Sequence, residues 1–305
     1  MERNNLYCLP MLHQLMSEKW ALEERFHERM AMLALADKLD FKSFSEGRKG
    51  PEIAMTLSLA EGLAIAAELA TVARAGASYY RNLPKLGTKA GMVAVVPLIG
   101  AMSRYGDYCS WGTEDIASWL LEAYNDDAVV GVVLETNSGG GAVDGTELLA
   151  QVVRQRNKPV VGLVSGMAAS AAYWVISQTD EIVMESATAS EVGSIGVLAM
   201  HVDASKAYEK QGFKPTIIRA DGSEGKALFN SLEPLTPELI AQVKAELAPI
   251  RDEFIRQVKA GRPEITDEDI FAGGMYAGRA AIRNGMADRI GYLGDAVQRV
   301  VQLAA

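Results

Sequence analysis

Ser170 is the residue whose type and position point most directly to chemistry. It lies between residues 160–164, an apolar and β-branched run that predicts a buried strand ended by Ser165 and Gly166, and residues 168–176, which predict a helix. Unpaired N–H groups and the positive end of the helix dipole gather at such a helix start, where they would stabilise an oxyanion formed beside the hydroxyl. A serine that only caps the helix fits the same pattern.

The glycine-rich loop at residues 137–141, NSGGG, is the second candidate for chemistry. Three consecutive glycines let the backbone approach a ligand closely and turn its N–H groups toward an anion or a carbonyl oxygen. The loop lacks the lysine of a phosphate-binding loop, and no glycine follows three residues after Gly141, so a dinucleotide fingerprint is excluded. A structural turn between strand and helix is the alternative.

A histidine-based triad is the competing catalytic arrangement. Of the three histidines, His201 follows the two loops in the chain and could reach Ser170 with Asp203 or Asp144 behind it. The alternation around His201, VLAMHVDAS, instead predicts an ordinary strand with a half-buried structural histidine.

Composition limits the class of protein. The chain has 305 residues, 49% hydrophobic and 23% charged, as expected of a soluble globular protein with one large domain and an appendage. A net charge of -9 argues against a nucleic-acid or anionic-membrane partner. The two cysteines, Cys8 and Cys109, suit a reducing compartment and cannot form a zinc cluster, so no metal and no cofactor are predicted.

No targeting or membrane segment is predicted. Residues 1–14 mix charged and polar residues with apolar ones, unlike a signal peptide. The most apolar run, residues 54–73, contains two glutamates and is more typical of a packed helix than of a membrane span. We therefore expect a cytoplasmic protein.

Two domains are predicted. Residues 1–90 form a helical N-terminal region and linker, with amphipathic helices around residues 20–35 and 53–75. Residues 91–305 form the main domain, in which strands alternate with helices over short connections. This alternation predicts an α/β fold with a largely parallel sheet. The predicted elements of the main domain include a strand at 129–136 and helices at 113–125, 143–155, 205–211 and 237–260.

Several ordered motifs carry a family resemblance. NSGGGAVDGTELL, SGMAASAAYWV, VGSIGV and MYAGRAAIRNGMADRIG resemble motifs of the signal peptide peptidase A family, serine peptidases of the Clp protease/crotonase superfamily. The similarity runs from about Gly91 to the C-terminus and implies the family's repeated β-β-α superhelix. The single catalytic domain and the helical N-terminal region resemble most closely the phage and prophage members that mature capsids.

The resemblance implies a serine/lysine dyad. Its nucleophile falls on Ser170, and its general base on Lys226, the only lysine of PTIIRADGSEGKALFNSLEPLT, with Lys214 as the fallback. A lysine acts as a base only when its amine is neutral. Because a carboxylate nearby would raise the pKa of the lysine, Glu224 is expected to point away.

The resemblance also implies the groups around the dyad. The oxyanion donors would be the N–H of Gly140 or Gly141 together with that of Ala171, and Ser194 would hydrogen-bond the lysine and orient it. The alternative interpretation of Ser194 is a turn serine flanked by glycines.

The implied function is an endopeptidase that cuts phage scaffold or capsid proteins during head maturation, working as a ring or dome of identical subunits. A bacterial peptidase that clears leader peptides is the alternative within the family. From other classes, a crotonase-like thioester enzyme would need only the glycine-loop donors, and an inactive scaffold would bind capsid proteins without cutting them.

Two surface properties are predicted from residue types. Small residues beside Ser170 predict a pocket for small or aliphatic side chains, with Met167 and Leu198 as apolar lining. Aromatic residues near the two loops predict a subunit interface; they are Tyr105, Tyr108, Trp111, Tyr173 and Trp174.

Overall fold

The structure, a computed structural model, describes residues 20–22, 55–58, 92–106 and 110–305. Ten strands are present in these ranges: β1 (Trp20–Leu22), β2 (Met55–Ser58), β3 (Met92–Ile99), β4 (Val129–Ser138), β5 (Gly140–Ala142), β6 (Val160–Ala169), β7 (Glu181–Met184), β8 (Glu191–Gly193), β9 (Met275–Ala277) and β10 (Arg289–Ile290). The α-helices are α1 (Thr113–Asn125), α2 (Thr146–Arg154), α3 (Ala171–Ile176), α4 (Ser205–Lys210), α5 (Pro237–Gly261), α6 (Gly278–Arg283) and α7 (Leu293–Ala304). A 3-10 helix follows α5 at Glu268–Ala272.

One mixed sheet organises the molecule. Its main path runs in the order β10-β7-β6-β4-β3-β2, and β8 joins the end of β6. The central pairs β3/β4, β4/β6 and β6/β7 are parallel, while β2/β3 and β8/β9 are antiparallel. The predicted α/β class with a largely parallel sheet is confirmed, and β4, β5 and α2 follow one another as a β-β-α unit.

Both faces of the sheet are covered. The larger core lies on the face that carries α1, α2 and α3, and the smaller core packs α7 against valines of β3, β4 and β6. Because a parallel sheet buried on both faces needs no polar face, its strands are continuous apolar runs. Residues 92–98 of β3 are accordingly all buried.

The chain around Ser170 differs from the prediction in one respect. Ser165 and Gly166 do not end the strand, because β6 continues to Ala169 through parallel pairing of residues 167–169 with β8. Helix α3 is consequently only six residues long. The helix predicted at residues 113–125 has those bounds in the structure.

The predicted N-terminal helices are wrong at the residues that are described. Trp20–Leu22 is a strand antiparallel to β5, and Met55–Ser58 is an edge strand antiparallel to β3. In the second segment, Met-Thr-Leu-Ser alternates apolar and polar residues with the period of a strand, and pairing with a long strand outweighs helical propensity. The other residues of 1–90 lie outside the described ranges, and the domain boundary at 91 stays a prediction.

A long segment between β8 and β9, residues 201–250, contains no buried residue and is called the arm below. It includes α4 and the first half of α5. Helix α5 is anchored at its other end, where Phe254 stacks on Trp174 of α3 at 4.6 Å between ring centroids. Apolar side chains exposed along the arm are Val202, Tyr208, Phe213, Ile218 and Ile240.

The predicted aromatic interface is only partly compatible with the structure. Tyr173 and Trp174 are fully buried core residues, and Trp111 packs edge-on against Trp119 at 5.4 Å. Tyr105 is 76% exposed, and Tyr108 lies outside the described residues. Among the helices described, none has the length and apolar character that crossing a membrane requires.

The two ends of α5 should respond differently to the same truncation. Replacing Phe254 by Ala removes a fully buried ring from the stack with Trp174 and should lower the free energy of unfolding by about 3–5 kcal/mol. Ile240→Ala, on the exposed part of the same helix, should change it by less than about 0.5 kcal/mol. Denaturant unfolding of the dissociated subunit measures both, and equal losses would contradict the asymmetry.

Candidate active site

Ser170 occupies a strained turn between β6 and α3. Its backbone angles are φ 54° and ψ -120°, a region that costs a residue with a side chain about 1–3 kcal/mol. The turn is held on both sides, because Ser170 N donates to Gly193 O at 2.8 Å and Trp174 N donates to Ser170 O at 2.9 Å. A sharp strand-to-helix turn of this kind can present a serine hydroxyl at the end of an α/β sheet.

The Ser170 hydroxyl is enclosed. The residue is 1% exposed, and its Oγ donates to Gly196 O at 3.4 Å, a long and weak hydrogen bond. Gly193 makes this close packing possible, since a Cβ at its φ of 137° would lie 2.2 Å from Gly274 O. Ser194 follows at φ 53° and donates its N–H to the same carbonyl at 2.8 Å.

The glycine loop lies beside the end of β6, because Ser138 pairs with Ala168. Gly140 N donates to Ser138 Oγ at 3.1 Å, and that hydroxyl donates to Gly100 O at 2.5 Å. Gly141 permits a close crossing, since a Cβ there would lie 1.9 Å from Met102 O. The loop thus joins the end of β4 to the short strand β5, and one of the expected donor groups is engaged by a neighbouring hydroxyl.

Ala171 is the first residue of α3, and the first N–H groups of a helix have no partner within it. The N–H of Ala171 therefore has no partner within α3 and belongs to the residue directly after Ser170. With only six residues, α3 carries a smaller dipole than a helix of the predicted length, so local N–H donors matter more here than the dipole.

Lys226 lies on the arm with its side chain exposed. Its backbone is fixed, since Lys226 N donates to Ser223 O at 3.0 Å and Arg219 Nε donates to Lys226 O at 2.6 Å. Within the described residues no hydrogen bond or ion pair joins Lys226 to Ser170. Lys214, the fallback, is exposed on the same arm.

Arg219 and Glu233 clamp the loop that carries Lys226, and sequence reasoning missed both. Arg219 also donates to Ala227 O and pairs with the Glu233 carboxylate at 2.6 Å, which accepts from Asn230 as well. The Arg219 hydrogen bond, then that of Asn230, lowers the pKa of Glu233 from 4.5 to about 2. Because this pKa is depressed, the clamp is complete above about pH 4.5 and is lost only as pH falls through about 2.

Glu224 points away from Lys226, as expected. Its carboxylate turns back onto its own loop and accepts from Gly222 N at 2.9 Å. No ion pair to Lys226 is found in the part of the chain that the structure describes.

The histidine triad is not assembled. His201 Nε2 donates to Asn230 O at 2.6 Å, away from Ser170. Asp203 accepts a hydrogen bond from Ser205 N at 2.9 Å, and Asp144 pairs with Arg104 at 3.0 Å. Over the described ranges, no cluster of three or more His, Cys, Asp or Glu side chains could hold a metal ion.

The pocket beside Ser170 differs from the one expected. The alanines at 168, 169, 171 and 172 are fully buried and so provide no accessible wall. A cavity of about 420 Å³ is instead lined by residues 194–198 and 271–273 and by Arg251. Leu198 lines it as predicted, whereas Arg251 introduces a charge that the sequence analysis did not place there.

The C-terminal half of the chain and its glycine loop are similar in sequence to known peptidases. Residues 153–305 match the family model described as Peptidase family S49. The chain is 32% identical over 219 residues to Protease 4 of Haemophilus influenzae, covering 69% of this chain and 34% of that protein. It is 28% identical over 222 residues to the chloroplastic serine protease SPPA of Arabidopsis thaliana, covering 70% and 32%.

A phage protein is also similar. The capsid assembly protease C of Escherichia phage lambda is 27% identical over 220 residues, covering 69% of this chain and 47% of that protein. The chain thus spans about a third of the two cellular relatives and about half of the phage relative.

The strain at Ser170 can be measured by comparing two replacements. Ser170→Ala keeps the side-chain penalty at φ 54°, whereas Ser170→Gly removes it at a flexibility cost of about 0.5–1 kcal/mol. The glycine variant should therefore be the more stable of the two by about 1 kcal/mol in denaturant unfolding. An alanine variant more stable than the glycine variant by about 0.5–1 kcal/mol, the flexibility cost alone, would show that the turn stores no strain.

Proposed function

The chain belongs to peptidase family S49, and from that premise we propose that it is a serine endopeptidase with Ser170 as nucleophile and Lys226 as general base. The observation that carries the proposal is the strained, enclosed strand-to-helix turn at Ser170, beside the glycine strand and at the start of α3. A serine that only caps a helix does not need this geometry.

Acylation begins with the neutral amine of Lys226. The amine takes the proton of Ser170 Oγ as the oxygen attacks the carbonyl carbon of the scissile bond. The resulting ammonium returns a proton to the leaving amine, which breaks the C–N bond and leaves an acyl-enzyme. A water molecule, deprotonated by the same lysine, then releases the acyl group and restores the serine.

The oxyanion of each tetrahedral intermediate would accept from Ala171 N–H and from the glycine strand. Gly140 N–H can serve only by exchanging its bond to Ser138 Oγ for one to the substrate, whereas Gly141 is the alternative donor. The edge of β5 already pairs with an extended segment of this chain, β1. An extended substrate could use the same strand-pairing mode, which favours a peptide as the ligand of this site.

The position of Lys226 favours a base supplied between subunits. The arm that carries it has no buried residue and exposes several apolar side chains, as a segment that packs on a second copy would. Packing would also remove water from around the amine. Desolvation lowers the pKa of a lysine and so favours the neutral amine that catalysis needs. In this proposal Ser194, close to Ser170, orients the incoming lysine.

The proposed substrates are scaffold or capsid proteins of a phage. The similarity to a capsid assembly protease supports this choice. It covers 69% of this chain, as does the similarity to Protease 4, but a larger share of the relative, 47% against 34%. A ring or dome of subunits, as proposed here, would confine the reactive serine and restrict it to segments that can enter.

Activity should depend on Ser170 and rise with pH. Scaffold and capsid proteins encoded beside this gene, with leader peptides as the comparison, should be cut by the wild type and not by Ser170→Ala or Lys226→Met.

The rate of the wild type should increase on the alkaline side with an apparent pKa above the value of about 6.5 for an ordinary histidine. The matched control His201→Ala should keep this profile. An acidic limb near pH 6.5 that disappears in the control would instead identify a histidine base.

A site shared between subunits makes a separate prediction. Ser170→Ala and Lys226→Ala are each expected to be inactive, but mixing them under conditions of subunit exchange should restore part of the peptidase rate. Restoration occurs because an intact serine then meets an intact lysine from its neighbour. A mixture that stays inactive after exchange has been demonstrated by mass spectrometry would place the dyad within one chain.

A further inference from the structure

The pocket lined by Arg251, called the Arg251 pocket, opens directly beside the nucleophile. One wall is formed by residues 194–198, and Gly196 of this wall accepts the hydrogen bond of Ser170 Oγ. The opposite wall is formed by residues 271–273 at the end of the 3-10 helix, with Arg251 of α5. A side chain flanking the scissile bond would enter this space.

The pocket is kept open by two glycines. A Cβ added at Gly196 or at Gly273 would meet no atom within 4 Å, so both positions face open space. The volume of about 420 Å³ exceeds what one small aliphatic side chain fills. The pocket therefore has room for a long side chain or for a chain end.

Arg251 is the only charged residue among the described residues that line the pocket. One of its terminal nitrogens donates to Phe271 O at 2.9 Å, which fixes the guanidinium at the wall. Asp252 forms a long ion pair with Arg251 at 3.9 Å, too far for a hydrogen bond, and its side chain is 76% exposed. A guanidinium has five N–H donors in a planar fork, so donors remain for a ligand.

We propose that the Arg251 pocket binds a carboxylate of the peptide substrate, either an acidic side chain or the free C-terminus. The fork of Arg251 matches the two oxygens of a carboxylate. The apolar side chains of Ile195, Val197 and Leu198 suit the methylene groups that precede the carboxylate in an acidic side chain. This inference deepens the proposed peptidase function and rests on it.

The test uses short alanine-rich peptides in matched pairs. The two peptides of a pair differ at a single position, before or after the cut, where one has Glu and the other has Gln. Both have an amidated C-terminus. In a second set of peptides the C-terminus is free. The wild type should show a kcat/KM about fivefold to tenfold higher for Glu than for Gln at one position, or for the free over the amidated terminus. The two sets distinguish the sources of the carboxylate.

The preference should follow the charge at position 251. Arg251→Gln should bring the ratio to about one, Arg251→Lys should keep part of it, and Arg251→Glu should invert it so that a Lys peptide is favoured over its Gln partner. The matched control is Arg256→Gln, on the same helix and paired with Glu253 outside the pocket. This control should keep the wild-type ratio. A general loss of helix stability would instead reduce the ratio in both variants.

Binding measured without turnover separates this inference from the proposed activity. Ser170→Ala should bind the labelled Glu or free-terminus peptide more tightly than its partner in fluorescence anisotropy, and adding Arg251→Gln should remove the difference. Peptides cleaved without any carboxylate preference would overturn the inference and leave the peptidase intact. Arg251-dependent binding with no cleavage by the wild type would uphold the pocket and overturn the peptidase.

Discussion

The backbone hydrogen bond from Ser170 N to Gly193 O is the interaction on which the site depends. It joins the end of β6 to β8 and holds Ser170 at a backbone conformation that a side chain disfavours. Burial of α3 offsets the cost of that conformation, because all six residues of this helix are buried. Trp174 and its stack on Phe254 connect the turn to the rest of the core. Strain at Ser170 is thus maintained by the packing behind it.

The chain divides into a packed part that holds the proposed nucleophile and an arm that holds the proposed base. Ser170 sits among fully buried residues, whereas no residue of the arm is buried. The Arg219–Glu233 clamp gives the Lys226 loop a defined shape even so. A base on a shaped but unpacked arm suits a site that is completed by assembly. Hydrolysis would then be confined to the assembled state.

The sequence predicted the parts of the site that depend on local pattern. The β-branched run before Ser170 and the helix at 113–125 are local signals, and both elements formed. The end of β6 was misplaced, because residues 167–169 are kept in the strand by pairing with β8, which is distant in sequence. The strands at 20–22 and 55–58 likewise exist only through pairing with β5 and β3. Arg219 with Glu233, and Arg251 at the pocket, are brought into place by tertiary contacts that no residue spacing reveals.

The central claim is that Ser170 forms a covalent acyl-enzyme, and acid-quenched turnover tests it most directly. Protein mixed with an ester or peptide substrate is quenched within the first turnovers, digested and analysed by mass spectrometry. The account predicts an acyl adduct on the peptide that contains Ser170, at higher occupancy when deacylation is slowed at low pH. Substrate turnover with no adduct on that peptide, or with the adduct on another residue, would contradict it.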